Sequence, residues 1–264
     1  MQEASSIDGS FGREQVSADE RKSRIRRVFE AVAPRYDLMN DLMSFGIHRL
    51  WKRTLARRCR DVAGTVVDLA GGTGDVARLL VRADRQVAVC DPSRAMMREG
   101  RRRSGAAIAW FAGEAEALPF ADGSVDLLTI SFGLRNATRL DAALSEIHRV
   151  LKPGGRFVCL EFSRPYRWFA PLYDLYSYLI IPRLGAAVAR NPEAYQYLVD
   201  SIRRFPDQRG FAAAMEKAGF TQVRWENVSL GIACLHYGLR PEMQQATARP
   251  ATDMPACGGN GAGA

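Results

Sequence analysis

A chain of 264 residues with 47% apolar content can bury a sizeable core, so one large globular domain with extensions is the expectation. Its charge of +8 is uneven: residues 21–60 carry twelve Lys/Arg against Glu30, Asp37 and Asp41, and the remainder is near neutral. No apolar run approaches the roughly 18 residues of a membrane span, and acids at 3, 8, 14, 19 and 20 argue against a secretory or transit peptide. The five cysteines (59, 90, 159, 234, 257) form no Cys-x-x-Cys pair, which points to a reducing compartment. The three histidines (48, 148, 236) lack metal-ligand spacing. The protein is expected in the cytoplasm, at most touching a membrane surface.

Residues 1–20 read as a loose, polar N-terminus. Ile25, Val28, Phe29 and Val32 then recur at helical spacing from Arg21 until Pro34 ends the helix. A short helix, a turn at Ser44–Gly46 and a second helix to about Cys59 complete a helical cover over 21–60. The apolar run from Thr65 ends in a glycine cluster and continues into a helical pattern at Val76–Leu80, the outline of a strand–loop–helix nucleotide site. The amides after the glycines are expected to receive a ligand carboxylate or phosphate.

Strand Gln86–Cys90, helix Arg94–Arg103, strands Ile108–Phe111 and Val125–Ser131, and helix Asp141–Leu151 follow. Lys152–Gly155 reads as a tight turn before strand Arg156–Phe162. Alternation of this kind predicts a parallel sheet covered on both faces. Aromatics crowd a helical insertion at 164–205. Helix Gln208–Ala218, strand Gln222–Glu226, a turn near Val228–Gly231 and an antiparallel strand Ile232–Tyr237 close the domain at about 240. Residues 241–264 have the composition of a disordered tail.

Gly72-Thr73-Gly74-Asp75-Val76-Ala77 satisfies Gly-x-Gly-x-x-Ala, which fits a dinucleotide site as well as other nucleoside cofactors. Asp91, at the carboxyl end of the second strand, is placed to accept hydrogen bonds from both hydroxyls of a ribose. The competing role is a helix N-cap ahead of Pro92. Glu114 and Ala115 follow the third strand, beside where an adenine would lie, and Ser131 ends the fourth. A nicotinamide enzyme would more often add a second mononucleotide-binding half, for which the chain has little room. A basic RNA-binding module would interleave aromatics with arginines, whereas here the two are over a hundred residues apart, so no nucleic-acid partner is expected.

Two longer motifs narrow the reading. They are Tyr36-Asp37-x-Met39-Asn40-x-x-Met43-Ser44-x-x-x-His48-x-x-Trp51 and Arg149-Val150-Leu151-Lys152-Pro153-Gly154-Gly155-x-Phe157-x-x-Leu160-Glu161-x-Ser163. With Asp68–Asp75, Glu116–Phe120 and Ile130–Asn136 between them, the chain over roughly 24–238 resembles the ubiquinone/menaquinone biosynthesis C-methyltransferases, a class I methyltransferase family. The resemblance implies a Rossmann-like, mostly parallel sheet of seven strands with helices on both faces and a terminal antiparallel strand. It implies S-adenosylmethionine as cofactor and a polyprenylated quinol, benzoquinol or naphthoquinol, as substrate.

Carried over by position, the cofactor residues are Asp68, Gly71, Gly72, Thr73, Gly74, Asp91, Glu114, Ala115 and Ser131. Arg135 and Asn136 are placed to bind or polarise the quinol oxygens. Tyr36, Asp37, Asn40 and His48 would come from the helical cover, in direct catalysis or in fixing that cover. The chain departs from the family pattern at Glu114, usually Asn or Asp, and at Tyr237, usually basic, and is short between Leu80 and Val87. A tail this insoluble calls for transient contact with a membrane surface, expected through Arg24, Arg26 and Arg27. A homo-oligomer or a complex of quinone biosynthesis is the further expectation.

Overall fold

The structure, a computed structural model, describes residues 10–11, 14–32, 40–41, 44–176 and 192–242. Two short strands, β1 (Ser10–Phe11) and β2 (Glu14–Gln15), pair antiparallel ahead of helix α1 (Ala18–Val32). Both strands fall within the stretch 1–20, and the first helix starts three residues before Arg21. Helix α2 (Ile47–Arg58) follows a left-handed Gly46, as the turn at Ser44–Gly46 leads one to expect.

Seven strands form the sheet: β3 (Gly64–Leu69), β4 (Arg85–Asp91), β5 (Ile108–Ala112), β6 (Val125–Ser131), β7 (Leu151–Phe162), β8 (Thr221–Val228) and β9 (Ala233–Leu239). Their order is β5-β4-β3-β6-β7-β9-β8. β3 to β7 pair in parallel; β9 runs antiparallel to both β7 and β8. The antiparallel strand thus lies inside the sheet, and β8 is the edge. Burial accounts for this placement, since Ala233–Gly238 are buried without a break while β8 has no buried residue.

Helices α3 (Asp75–Leu80) and α4 (Arg94–Ser104) follow β3 and β4; α5 (Leu140–Val150) precedes β7. Helix α6 (Pro192–Arg204) ends the insertion and α7 (Gln208–Lys217) precedes β8. Alternate strand residues feed two cores. Leu69, Cys90, Ile130 and Phe157 pack with α5 and α7, and Val66, Val89, Leu127 and Val158 with α2, α3 and Met97 of α4. The period of two sends successive side chains to opposite faces, so both faces are apolar. The Lys152–Gly155 turn is a bulge within β7 rather than a loop before it: the register jumps from Val125↔Leu151 to Leu127↔Arg156. Cys59, Cys90, Cys159 and Cys234 are free and buried.

Candidate active site

The parallel strands end on one edge, where the sheet order switches between β3 and β6, the place at which open α/β sheets bind ligands. A cavity there is lined by Leu69, Gly72, Asp91, Met96, Glu114, Ala115, Ser131, Phe132 and Asn136, among others. The glycine loop is bent to fit it. Gly72 has φ 55°, and Gly74 has φ 79° at the start of α3, values that glycine adopts without a steric penalty.

Asp91 is 7% exposed. Its Oδ2 accepts from the Gly72 amide at 2.9 Å and its Oδ1 from the Ser93 amide at 2.7 Å. Burial pushes its pKa up to about 6 against those bonds. The cap of α4 is Ser93, whose Oγ accepts from the Met96 amide, so the N-cap reading of Asp91 is corrected. Each carboxylate oxygen keeps lone-pair capacity after its backbone bond, and Asp91 lines the cavity.

Asp68, Gly71, Thr73 and Gly74 do not line the cavity; they shape the loop beneath it. Asp68 is fully buried, accepting from Thr129 Oγ1 at 2.8 Å and from the Ala77 amide at 3.2 Å, and burial raises its pKa to about 7. A Cβ on Gly71 would stand 2.7 Å from Asp68 Oδ2. The Ala77 amide, expected to serve a ligand, serves Asp68, and the Gly72 amide serves Asp91. Two of this chain's own carboxylates therefore occupy loop amides that a diphosphate would need. The fit is to a nucleoside: a buried acid for vicinal hydroxyls, with Leu69, Met96 and Ile130 as walls for a flat base.

Helix α1 roofs this cavity with Lys22, Ile25 and Arg26. Lys22 Nζ meets Glu114 Oε2 at 2.5 Å, and Arg26 lies 3.8 Å from Glu114 Oε1. The extra methylene at Glu114 thus reaches the roof. Arg24 pairs with Glu20 at 2.6 Å. Of the three arginines expected to meet a membrane, two are engaged within the protein.

Phe132 lines both the first cavity and a second one of roughly 420 Å³. Its φ is 55°, in the left-handed region a bulky side chain rarely enters. Its ring packs on Phe162 at 4.6 Å and on Trp51 at 5.9 Å. The second cavity is walled mainly by apolar and aromatic residues, among them Phe45, Phe169, Leu172, Tyr173, Leu198 and Ile202. Here the aromatic insertion meets α2.

Arg135 lines this second cavity, 5% exposed. Its Nη1 donates to Glu161 Oε1 at 2.9 Å and to the Phe132 carbonyl, its guanidinium lies 5.4 Å from the Phe162 centroid, and its Nε has no hydrogen-bond partner. Asn136 lines the first cavity instead, its Oδ1 accepting from Tyr197 Oη at 2.8 Å. Asn40 and His48 line the second. His48 shares a hydrogen bond between Nδ1 and Ser44 Oγ at 2.8 Å, and burial, helped by Lys52, lowers its pKa to about 4. It is a neutral imidazole. Tyr36 and Asp37 lie outside the described residues.

The roles of Arg21, Gly100 and Glu161 are not legible in the sequence, although Glu161 stands within one of the two long motifs. A Cβ on Gly100 would stand 2.6 Å from the Thr73 carbonyl, so this glycine lets α4 press on the loop. Glycine inside a helical pattern was the available signal. Arg21 and Glu161 carry no such signal, because their partners are distant in sequence.

Among the described residues no group of His, Cys, Asp and Glu is arranged to hold a metal, and no helix is long and apolar enough to cross a membrane. The sheet order and the nucleoside cavity at its switch point define a class I methyltransferase fold. A SAM-dependent methyltransferase of Thermotoga maritima, described as a possible histamine N-methyltransferase, superposes with a TM-score of 0.60 at 19% identity, covering 81% of this chain and 98% of its own. The [4+2]-cyclase SpnF reaches 0.61 at 15% identity over 84% of this chain and 96% of its own. A cyclase among the neighbours underlines that these likenesses establish the fold alone.

The chain belongs to the ubiE/COQ5 methyltransferase family, whose model matches residues 15–240, and it is a C-methyltransferase of that family. It is 64% identical over 241 residues to the ubiquinone/menaquinone biosynthesis C-methyltransferase of Rubrivivax gelatinosus, spanning 91% of this chain and 96% of the relative. It is 43% identical over 282 aligned positions to the mitochondrial 2-methoxy-6-polyprenyl-1,4-benzoquinol methylase of Mus musculus, at 90% and 86% coverage.

Proposed function

We propose that the protein transfers a methyl group from S-adenosylmethionine to a ring carbon of a polyprenylated quinol, benzoquinol or naphthoquinol. One observation carries the reading: a cavity with a buried acid shares the Phe132 wall with an apolar cavity that a buried arginine lines. The first cavity suits the cofactor, which when bound supplies an electrophilic methyl on a sulfonium. The second suits a flat ring with an isoprenoid tail.

In the first cavity Asp91 accepts from the ribose hydroxyls, and Glu114, Ala115 and Ser131 flank the base and its ribose. Asp68 and the glycines at 71, 72 and 74 hold the loop in shape. In the second, Arg135 faces the quinol oxygen. A guanidinium beside a phenol lowers its pKa by charge, so that the phenolic proton passes to solvent. The phenolate pushes electron density to the neighbouring carbon, which would bond the methyl as the methyl–sulfur bond breaks and the neutral thioether leaves, and the ring carbon then gives its own proton to solvent. His48 orients the ring rather than removing the phenolic proton. With a pKa of about 4, proton removal from an ordinary phenol near 10 is uphill by roughly 8 kcal/mol. Trp51, Phe132 and Phe162 keep water from the reacting carbon.

The ring must be reduced, because a quinone carbon is electron-poor and does not attack a sulfonium methyl. Turnover is therefore expected with a short-tailed quinol kept under dithionite and absent after oxidation to the quinone. Equal rates in the two states would mean that the substrate is not a quinol.

The tail also places the protein at a membrane surface, and the mouth of the second cavity is the better candidate for that contact than α1. Phe45 (74% exposed), Leu172 and Leu175 line the cavity and face solvent, with Leu50 and Trp168 also exposed. Replacing Phe45, Leu172 and Leu175 by aspartate is expected to abolish flotation with liposomes, whereas Arg24→Glu with Arg27→Glu weakens it by less than the roughly 30-fold that two basic residues at the surface are worth. Normal flotation of the aspartate variant would rule out this rim.

A further inference from the structure

Arg21 stands apart from the other basic residues of α1. It is 2% exposed, and its guanidinium points away from solvent into the turn after β6. There Nη1 donates to the carbonyls of Asn136 at 3.1 Å and Ala137 at 3.0 Å, and Nη2 to that of Arg135 at 3.4 Å. These three oxygens lie at the C-terminal end of the short helical turn Leu134–Asn136, where carbonyls lack intrahelical partners and a cation is favoured. The fork of a guanidinium suits three such acceptors; an ammonium does not.

The same helix, one residue on, closes the far side of the cofactor cavity through Lys22 and Glu114. Positions 21, 22, 25 and 26 share one face of α1, so the roof is tied at two opposite walls. One wall is the loop just after β5; the other is the turn that carries Arg135 into the second cavity.

We infer that Arg21 is a positioning residue: it links the roof of the cofactor cavity to the backbone of Arg135 and Asn136, so that a cofactor seated under α1 sets the substrate arginine. This rests on the functional reading above. Asn136 lines the cofactor cavity and Arg135, its neighbour in sequence, lines the substrate cavity; one guanidinium holds both carbonyls. Binding energy at one cavity thereby reaches the other through a single turn, and the coupling must be reciprocal.

The test measures affinities of S-adenosylhomocysteine and of a reduced short-tailed quinol, each alone and with the other saturating, by calorimetry on wild type, Arg21→Ala and Arg21→Lys. In the wild type each ligand is expected to raise the affinity of the other at least about fivefold, the lower end of usual couplings. That factor falls to one in Arg21→Ala and to an intermediate value in Arg21→Lys. Amide exchange gives a second readout. Asn136 and Ala137 donate to the carbonyls of Gly133 and Leu134, and S-adenosylhomocysteine alone is expected to slow their exchange in the wild type but not in Arg21→Ala. Coupling and slowed exchange retained in Arg21→Ala would overturn the inference, as would a wild type that binds both ligands independently. Should Arg21→Ala not fold, Arg21→Lys decides: undiminished coupling there contradicts the role. A wild type that binds neither ligand removes the functional reading itself.

Discussion

Replacing Asp91 by alanine is expected to lower the affinity for S-adenosylmethionine by about 2–4 kcal/mol, roughly 30- to 700-fold, as two charge-assisted hydrogen bonds to the ribose disappear. Part of that loss is indirect, because the carboxylate also holds the amides of Gly72 and Ser93. Asp91→Asn, which keeps an acceptor oxygen and the shape, should fall between the two. The pH dependence separates ligand binding from folding. With the native pKa held up to about 6 by burial, the accepting, ionised form is lost as pH drops through 6, so cofactor affinity weakens there. Stability moves in the opposite sense. The native pKa lies above the unfolded value of about 3.9, so the contribution is favourable below that value and is lost as pH rises through 6, by about 3 kcal/mol. Calorimetry from pH 5 to 8 checks the affinity trend, and the stability trend is read from the difference between wild type and Asp91→Asn, because Asp68, with its pKa raised to about 7, titrates in the same window in both. Affinity independent of pH and of the substitution would reduce Asp91 to a loop brace.

The second large effect is expected at the buried pair Arg135–Glu161. Both side chains are withdrawn from water, and Glu161 also accepts from the backbone amides of Arg135 and Phe162. Glu161→Gln leaves a buried guanidinium without its counter-charge, which costs about 3–5 kcal/mol and lowers the melting temperature by roughly 10 °C in a chain of this size. Arg135→Lys tests the same site from the other side. An ammonium cannot bond Glu161 and the Phe132 carbonyl and also cover the Phe162 ring, so kcat is expected to fall while KM for S-adenosylmethionine stays within about twofold. A melting temperature unchanged in Glu161→Gln would mean that the arginine charge is served by solvent in the second cavity. A change confined to the cofactor KM in Arg135→Lys would move that residue to the first cavity.

What the sequence disclosed follows from how far apart the interacting residues are. The seven strands, the glycine loop and the acid at the end of β4 are written in contiguous residues, and short apolar runs with glycine punctuation mark them. Asp68 illustrates the limit. Its position in the motif is legible, but its role, holding Ala77 and Thr129 beneath the loop, depends on β6, some sixty residues away. Asn136 was expected with Arg135 beside the quinol; it lines the first cavity and meets Tyr197, while Arg135 lines the second, because neighbours in a tight helical turn point in different directions. The basic surplus of 21–60 was legible as charge but not as contacts, for a similar reason. Composition registers charge but not its partners, and Lys22 and Arg26 meet Glu114 while Arg21 caps a distant turn. β9 entered the sheet interior on the strength of its unbroken burial, which a short apolar run does not distinguish from an edge.

The most direct test of the account locates the transferred methyl. The purified protein, S-adenosylmethionine carrying a ¹³C-methyl, and a reduced short-tailed quinol with one unsubstituted ring position should yield a product whose labelled carbon resonates as an aryl methyl, with loss of the corresponding ring proton. A labelled methoxy carbon, or label on no quinol at all, would contradict a cavity in which Arg135 activates the ring carbon next to its oxygen.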